Sequence, residues 1–429
     1  IIGGTHVVNT VTIGDVKFEA GGVLSINSGQ TLTTGKIDAP PGKVLFAGSG
    51  VVSVAAQTVH ADWFPGGADW GAKVNAADVA LGSNKGTIIA IGDGNIATGI
   101  VIGENHTFLP GPGTRTATGY GPVIRLKHGA SINCGGWNSI FTESTALNDP
   151  VTDVNGLVVI ASYYGTSSDA LNGTIGRDQN YKNCHIKGHT PVETTDAVMN
   201  SGSPILTSAT AGFSANMVGW TAGVTGASSG PTGNLRAVNL SRQSASQVTL
   251  DTNATVSVTG AKLVLKHFDS AHPTIHTGNL HNGDVSGNWL EDTHTIGIQV
   301  GGGGGETPNG AGTGIKSITG ATNASPIVVT STAHGYALGN TGIRVDIVNV
   351  GGNTAANSTW DITVIDANTF SLNFSTGNGA YTSGGTVKQL GYAQNVNVHD
   401  NLETGVASQG FVATNARGFQ FSNNISRKA

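Results

Sequence analysis

An asparagine-containing segment that recurs at a regular interval is the feature that most limits how this chain can fold. Asn424 follows Asn401 by one interval, and residues 285–288 overlay residues 398–401 without a gap. The interval is about 23 residues, a length that occurs among repeat architectures. A repeat that is apolar at alternate positions, with an amide at a turn, is typical of chains that coil with three short strands in each turn. We therefore expect several stacked turns of parallel β-structure.

A third copy of the segment is predicted at residues 186–189, with one residue deleted. This alignment puts His189 at the position of Asn288, and it matches Ala197-Val198 with Gly297-Ile298. Asparagines that occupy one position of successive turns can hydrogen-bond to each other, as amides do in stacked β-structures. The repeat thus predicts a column of amides that runs from turn to turn.

Two breaks in the period predict insertions. The separation of Asn288 from Asn401 and that of His189 from Asn288 each exceed one interval several-fold. Both separations are far longer than a loop requires. We therefore expect one insertion over residues 201–267 and another over residues 304–389, each long enough for five or six short strands in a small barrel or sandwich.

The two predicted insertions resemble each other. Three pairs of segments match at one constant offset in the sequence: 203–206 with 325–328, 247–250 with 369–372, and Lys266 with Lys388. A constant offset over this length is hard to obtain by chance, even in a chain rich in Thr, Ser and Gly. We expect the insertions to be duplicated modules.

The remaining sequence predicts an all-β protein with one helix. Residues 1–60 alternate apolar and polar side chains between Gly-rich breaks, which indicates an N-terminal β cap. Asp69 is a candidate N-cap, residues 70–81 place apolar side chains on one stripe, and Gly82 provides a stop, so a short capping helix is predicted. The expected order is cap, parallel β-helix (solenoid), first module, one turn, second module and last turns, over residues 1–60, 61–200, 201–267, 268–303, 304–389 and 390–429.

Composition fits a folded β-protein and excludes some classes of function. Charged residues make up 11% of the chain, hydrophobic residues make up 38%, and glycine occurs 65 times. Disordered chains carry more charge and less apolar material. The net charge of −5 provides no basic surface, so nucleic acid is not an expected partner.

The sequence also bears on membranes and on processing. No apolar run approaches the ~20 residues of a membrane span, and membrane insertion is not expected. Without an initiator Met, we expect a processed chain or part of a longer one.

Cys134 and Cys184 are the only cysteines. Their separation corresponds to about two turns of the repeat, and stacked strands lie ~4.8 Å apart, so their Cα atoms would be ~9.6 Å apart. That distance is too long for a disulfide. The repeat therefore predicts two buried free thiols.

Several segments resemble the pectate-lyase-like β-helix superfamily. Residues 62–64 read Asp-Trp-Phe and precede the predicted helix, and residues 86–91 follow it as a buried strand, as in the first turn of that superfamily. The second insertion, at residues 332–336 and 355–360, looks like a small β domain that recurs in phage tail and spike proteins. The usual Asp-rich stretch after the Trp-Phe pair is replaced by residues 65–69. No catalytic signature of the superfamily can be mapped residue by residue.

The resemblance implies a right-handed β-helix and an extended saccharide as substrate. We expect a phage tail spike or fibre protein, located in the virion or secreted, that binds bacterial surface polysaccharide during host attachment, with depolymerisation left open. The alternatives are a secreted polysaccharide lyase or glycoside hydrolase, and a non-catalytic structural adhesin. A homotrimer is expected, and contact with other tail proteins would follow from the first interpretation.

Candidate site residues are assigned by the chemistry that each function needs. Glycoside hydrolysis requires a pair of carboxyl groups, and Asp284, Glu291 and Asp292 are the candidates. Such carboxylates are also common as solvated turn residues. Aromatic rings bind the apolar faces of sugars, and the candidates for substrate binding are Trp137, Tyr163, Tyr164, Trp289 and His294.

No metal or cofactor is expected. The histidines between residues 267 and 294 do not have the spacing of a compact metal motif. If both modules leave the coil after the same part of a turn, they would form the walls of a groove, with residues 274–303 as its floor. The sequence thus predicts a saccharide site between the two modules.

Overall fold

The structure is a computed structural model. It describes residues 1–40, 42–55, 58–118, 123–144, 160–162, 176–266, 273–278, 280–293, 296–301, 315–336, 341–390, 393–405, 409–414 and 416–427. The all-β class with one α-helix is confirmed for these residues.

Three long parallel sheets form the main part of the molecule, which we call the parallel body. The first sheet contains β9 (Thr58–His60), β10 (Gly86–Ala90), β13 (His106–Pro110), β16 (Ser131–Asn133), β19 (Arg177–Lys182), β28 (His281–Ser286), β38 (Ala393–His399), β41 (Ala416–Arg417) and β42 (Gln420–Ser422). The second contains β11 (Gly94–Ile96), β14 (Gly113–Ala117), β17 (Ser139–Glu143), β20 (His185–Lys187), β29 (Trp289–Glu291), β39 (Leu402–Thr404) and β43 (Ile425–Arg427). The third contains β12 (Ile100–Ile102), β15 (Ile124–Leu126), β18 (Ile160–Ser162), β27 (Pro273–His276), β30 (Ile296–Gly301) and β40 (Gln409–Thr414).

The chain passes through the first, second and third sheets in the same order each time, and we call one passage a turn. β10, β11 and β12 form turn 1, and β38, β39 and β40 form turn 6. Each strand hydrogen-bonds to its counterpart one turn away, so an inward side chain stacks on the inward side chains of neighbouring turns. In the first sheet this inward column is Ile88, Phe108, Ile132, Tyr181, Val285, Val398 and Phe421.

The N-terminal region, predicted as a β cap, continues the parallel pairing of the body in short strands. Its strands are β1 (Thr5–Val8), β2 (Val11–Ile13), β3 (Val16–Lys17), β4 (Val23–Ile26), β5 (Thr31–Thr34), β6 (Ile37–Asp38), β7 (Phe46–Gly48) and β8 (Val51–Val54). They pair in parallel as three short sheets. Their buried side chains join those of the parallel body in one continuous core, from Val16 to Val398.

The predicted helix is confirmed as α1 (Trp70–Leu81). Oδ1 of Asp69 accepts a hydrogen bond from the N–H of Gly71 at 3.0 Å, which satisfies a donor at the helix N-terminus. Gly82 follows the helix at φ 60°, a conformation that glycine adopts without a steric penalty. The helix buries Val74, Ala77 and Leu81 completely against the core.

The predicted column of amides is confirmed, but its first members are cysteines. Nδ2 of Asn288 donates to Oδ1 of Asn401 at 2.9 Å, and Nδ2 of Asn401 donates to Oδ1 of Asn424 at 2.9 Å. We call these three asparagines the amide ladder. Cys184 follows β19 as Asn288 follows β28, so it holds the ladder position one turn earlier, and its neighbour in the preceding turn is Cys134, directly after β16.

The prediction of free thiols is therefore wrong. Cys134 and Cys184 form a disulfide, with their Cα atoms 4.9 Å apart. One turn and not two separates them, because β16 pairs directly with β19 although the two cysteines are 50 residues apart in sequence. The error came from treating every turn as equally long.

The first insertion is a closed six-stranded antiparallel barrel with its own core. Its strands are β21 (Val192–Met199), β22 (Ile205–Thr207), β23 (Thr221–Val224), β24 (Leu235–Ser244), β25 (Gln247–Leu250) and β26 (Val258–Lys266). They follow the order β21-β22-β25-β24-β23-β26, and β26 closes the barrel by pairing with β21.

The second insertion repeats this strand order in a seven-stranded antiparallel sheet, which we call the second module. Its strands are β31 (Ile315–Ser317), β32 (Gly320–Ala321), β33 (Val328–Thr330), β34 (Thr341–Val348), β35 (Thr359–Val364), β36 (Thr369–Leu372) and β37 (Thr386–Leu390). The order is β32-β33-β36-β35-β34-β37-β31. β31 and β32 together take the place of β21. β36 is the counterpart of β25, and the two strands are separated by the same offset at which the two sequences match.

The alignment that predicted a groove between the two insertions is wrong. Ala197 belongs to the barrel, where it pairs with Ala261. The counterpart of Ile298 one turn earlier is Ile275 of β27. The barrel leaves the parallel body after the second sheet, and the second module leaves it after the third sheet. The two insertions therefore depart from different corners of the body.

Candidate functional site

A column of mainly apolar side chains lies on the outer face of the second sheet. In the register of this sheet, one outward position is occupied in successive turns by Ile140, His185, Trp289, Leu402 and Ile425. We call these residues the outer column. The His185 ring stacks on the Trp289 indole with centroids 4.0 Å apart and an angle of 7° between the planes. Stacking fixes the indole as a flat platform.

Trp137 extends this platform from a neighbouring corner. Five residues, 134–138, connect the first and second sheets in turn 3, whereas two residues make the same connection in turns 4, 5 and 6. Gly135 and Gly136 both have positive φ, and the longer loop carries Trp137 away from the body. Its indole lies 5.3 Å from that of Trp289 and donates from Nε1 to the carbonyl of Gly287 at 3.0 Å. Trp137 is nonetheless 46% exposed, so part of its indole remains accessible.

Polar groups line one side of the outer column. Oε2 of Glu291 lies 2.9 Å from Nε2 of His185, and its Oε1 accepts from Nζ of Lys187 at 3.2 Å. Nε1 of Trp289 donates to Oγ1 of Thr404 at 3.0 Å. Both oxygens of Glu291 are thus engaged by neighbouring side chains. In this arrangement Glu291 orients the platform and provides hydrogen-bonding groups beside it.

Asp292 faces a different part of the molecule from Glu291. It follows β29 at φ 49°, at the corner between the second and third sheets, where a side chain at Gly405 would collide with its carboxyl group. Desolvation raises the pKa of Asp292, although the charge of Lys266 acts in the opposite direction. Lys266 belongs to the barrel, and desolvation lowers the pKa of its amino group. Glu291 and Asp292 do not face each other across a common space.

Asp284 belongs to a third location, the outer face of the first sheet. Its Oδ2 lies 3.4 Å from both Nζ of Lys182 and Nε2 of His399, and Nδ1 of His399 lies 2.7 Å from Oδ2 of Asp400. Desolvation would raise the pKa of Asp284, but the hydrogen bond from Ser286 and the two cationic neighbours lower it overall. The hydrogen bond to Asp400 raises the pKa of His399. Asp284 is therefore held ionised, which suits ion pairing and disfavours a role as general acid.

The structure brings together part of the predicted site. Trp137, Trp289 and Glu291 form one surface, whereas Asp284 and Asp292 lie elsewhere. Tyr163, Tyr164 and His294 lie outside the described residues. Within the described residues, no group of three His, Cys, Asp or Glu side chains is arranged to hold a metal ion.

Sequence reasoning missed His185, Lys187 and Thr404. The expected alignment placed His189 opposite Asn288, but the structure pairs His185 with Trp289 and Lys187 with Glu291. The missing signal was the cysteine: Cys184 fills the position where the repeat otherwise has asparagine. An alignment that accepted either residue there would have placed His185 next to Trp289.

Comparison of the sequence with models of known protein families finds no match, and comparison with curated protein sequences finds none either. No helix among the described residues combines the length and the apolar character needed to cross a bilayer. The outer column, with Trp137 beside it, is therefore the main structural indication of function.

Proposed function

We propose that this chain is a right-handed parallel β-helix protein of the phage tail spike or fibre type, and that it binds bacterial surface polysaccharide through the outer column and Trp137 during host attachment. The β-helix part of the proposal is supported by the three parallel sheets, which the chain visits in a fixed order with one strand of each per turn. The observation that carries the function is the pair of indoles 5.3 Å apart, beside a stacked histidine.

A sugar ring has an apolar face and a polar rim, and an exposed indole with polar neighbours matches both. Burial of the apolar face on the exposed indole of Trp137, and on the part of Trp289 that His185 leaves uncovered, removes carbon surface from water. Hydroxyl groups at the rim of the sugar remain available for hydrogen bonds. Lys187, Glu291 and Thr404 supply hydrogen-bond donors and acceptors beside the indole of Trp289. Because successive turns repeat the outer column, an extended polymer can contact several turns at once.

The positions of the carboxyl groups favour binding over cleavage. Hydrolysis needs two carboxyl groups that approach one glycosidic bond, and the three candidates lie on two sheets and a corner. A lyase or hydrolase remains the alternative function, and its best-supported location is Asp284 with Lys182 and His399, since a lyase needs a cation beside its base. A non-catalytic adhesin is the second alternative and would use the same platform.

A virion or secreted location is supported by the disulfide between Cys134 and Cys184. Disulfides that serve structure persist in oxidising surroundings and are rare in the reducing cytosol. The homotrimer and the contact with other tail proteins remain predictions. Light scattering of the purified protein would measure the number of subunits directly.

The proposed function can be tested by titrating the protein with purified capsular and O-antigen polysaccharides while indole fluorescence is recorded. We expect saturable changes in fluorescence with at least one polymer, because Trp137 and Trp289 lie in the binding surface. A parallel assay for reducing ends and unsaturated products separates binding from cleavage. The proposal would be overturned if the protein bound none of the surface polymers of a bacterium to which the virion attaches.

A further inference from the structure

A pocket of about 390 Å³ opens on the other side of the loop that carries Trp137. Its walls come from turns 1 to 3, at the corner between the first and second sheets, and they include Ile89, Ile91, Leu109, Pro110 and Pro112. The indole of Trp137 reaches toward Gly287 in turn 5, so pocket and platform lie on opposite sides of one loop. None of the outer-column residues lines the pocket, and Trp137 does not line it either.

The apolar wall of the pocket follows from the register of the first sheet. Ile89 pairs with Leu109, and both point outward because Ile88 and Phe108 point into the core. The same outward position is occupied by Asn133 in turn 3 and by Lys182 in turn 4. This column therefore changes from apolar to polar between turns 2 and 3, where the pocket ends.

The rim of the pocket is polar and uncharged. Asn138 is exposed at the rim, next to Trp137 in sequence. Oδ1 of Asn133 accepts hydrogen bonds from Gly135 and from the side chain of Asn183, which fixes the amide in place. Every residue that lines the pocket is neutral, and none is Asp, Glu, Lys or Arg.

We propose that this pocket is a second subsite for the same polysaccharide, and that it takes a sugar unit bearing a methyl group, either a 6-deoxy sugar or an N-acetylated one. The proposal rests on the proposed function, since the occupant is the polymer that lies on Trp137. A methyl group fits the wall of Ile89 and Leu109, and the ring substituents meet the amides of the rim. A uronic acid is disfavoured, because its carboxylate would lose hydration and no cationic side chain lines the pocket. The nearby guanidinium of Arg115 is fully buried behind the wall and already donates to Gly111, Pro112 and Ser139.

The positions of the pocket and the platform also define a path for the polymer along the body. The pocket lies in turns 1 to 3, Trp137 bridges to turn 5, and Trp289 bonds to Thr404 in turn 6. A chain that fills both sites runs along the axis of the body at the corner between the first and second sheets. Stacked strands are ~4.8 Å apart, so such a chain spans about 20–25 Å.

Saturation-transfer NMR with four free reducing monosaccharides tests the subsite: N-acetylglucosamine, rhamnose, glucose and glucuronic acid. The folded protein should transfer magnetisation to the acetyl methyl of the first and the C6 methyl of the second, and little to the others. Leu109→Asp should lose both methyl signals. Val101→Asp is the matched control, because Val101 is an equally half-buried outward residue on the third sheet, and it should keep both signals. If Leu109→Asp fails to fold, Ile91→Asp replaces it, since Ile91 is already 48% exposed.

The results separate the two proposals. Methyl signals that persist in Leu109→Asp or Ile91→Asp overturn the subsite, and so does a glucuronic acid signal as strong as that of N-acetylglucosamine. Trp289→Ala should keep both methyl signals, because Trp289 does not line the pocket. If the pocket variants lose these signals while Trp289→Ala retains full polysaccharide affinity, the subsite stands and the platform of the proposed function fails.

Discussion

The backbone N–H of Cys184 donates a hydrogen bond to Oδ1 of Asn288, one turn further along the body, at 3.0 Å. This bond joins the disulfide to the amide ladder. The inner corner between the first and second sheets is thus held covalently between turns 3 and 4 and by amides from turn 4 onward. Each ladder asparagine also donates to a backbone carbonyl, as Asn401 does to Val285 at 2.9 Å, so its side chain satisfies buried groups of two turns.

Asn401→Ala should lower the free energy of unfolding by about 2–4 kcal/mol. The change takes the acceptor from the backbone N–H of Asn288 and the amide donor from the carbonyl of Val285, and it removes one of the two acceptors of Nδ2 of Asn288. Each buried polar group left unsatisfied costs about 1–3 kcal/mol. Denaturation by urea, followed by far-ultraviolet circular dichroism, measures the difference. Asn95→Ala is the control, because Asn95 is exposed and should change stability by less than about 0.5 kcal/mol. Equal stability of the two variants would contradict a structural ladder.

The double variant Cys134→Ser with Cys184→Ser should be less stable by about 2–4 kcal/mol. The disulfide joins cysteines 50 residues apart in sequence and so restricts the unfolded chain. Mass spectrometry of the native protein under non-reducing conditions should show a chain two hydrogens lighter than the reduced one. Labelling of both cysteines by iodoacetamide before reduction would show that the bond is absent.

Trp289→Ala should weaken polysaccharide binding by about 1–3 kcal/mol, the amount expected when one large apolar surface is no longer buried. Isothermal titration calorimetry with the polymer found by fluorescence measures the change. The control is Phe374→Ala, which removes a fully exposed aromatic ring from the second module. We expect this control to bind as the unchanged protein does. The reverse result would place the site on the second module.

His106→Gln should destabilise the protein more below pH 6.5 than above pH 8. Nδ1 of His106 lies 2.8 Å from Oδ1 of Asp78, and Nε2 lies 2.9 Å from the carbonyl of Asn84, so both nitrogens face acceptors. Burial lowers the pKa of His106, but the hydrogen bond and charge of Asp78 and the backbone carbonyls outweigh it and raise the pKa overall. The stabilisation is full below the unfolded pKa of about 6.5 and is lost as pH rises through the folded pKa.

The measurement for His106 is the difference in unfolding free energy between the two proteins, taken at several pH values. Asp78→Asn provides the control, since it removes the charge that favours the imidazolium form. A difference that stays constant from pH 6 to pH 9 would show that His106 is not protonated in the folded protein.

Glu403→Gln should stabilise the protein above pH 8 and have little effect near pH 5. Glu403 points into the core with no exposed surface, and desolvation raises the pKa of its carboxyl group to about 8, although Ser426 acts to lower it. The folded protein therefore keeps a proton that the unfolded chain releases near pH 4.3. Stability is lost as pH rises from there through 8, and an amide removes this loss. Melting temperatures of both proteins at pH 5 and pH 9 test the prediction, and parallel curves would refute it.

Local patterns predicted some elements well. Asp69 and Gly82 mark the ends of α1, and the regular spacing of Asn401 and Asn424 marks two true turns, because both signals depend on neighbouring residues alone. The site was harder. His185 and Trp289 are far apart in sequence, with the barrel between them. Their contact depends on how many residues each turn contains.

The predicted register was wrong at the turn where a disulfide takes the place of the asparagine amides. The corner needs a group that binds its neighbour one turn away, and either a disulfide or an amide does this. Sequence reasoning that expected asparagine passed over Cys184 and chose His189. The same error moved Ala197 from the barrel into the parallel body. In a stacked protein, one misplaced turn shifts every later contact between turns.

Both insertions begin and end side by side. Val192 pairs with Leu265 across the barrel, and Ile315 pairs with Lys388 across the second module. The chain thus returns to the body near the point at which it departs, and the path of the next turn does not depend on what the insertion contains. An insertion of this kind can therefore be lengthened, replaced or removed without a shift in the register of the turns on either side.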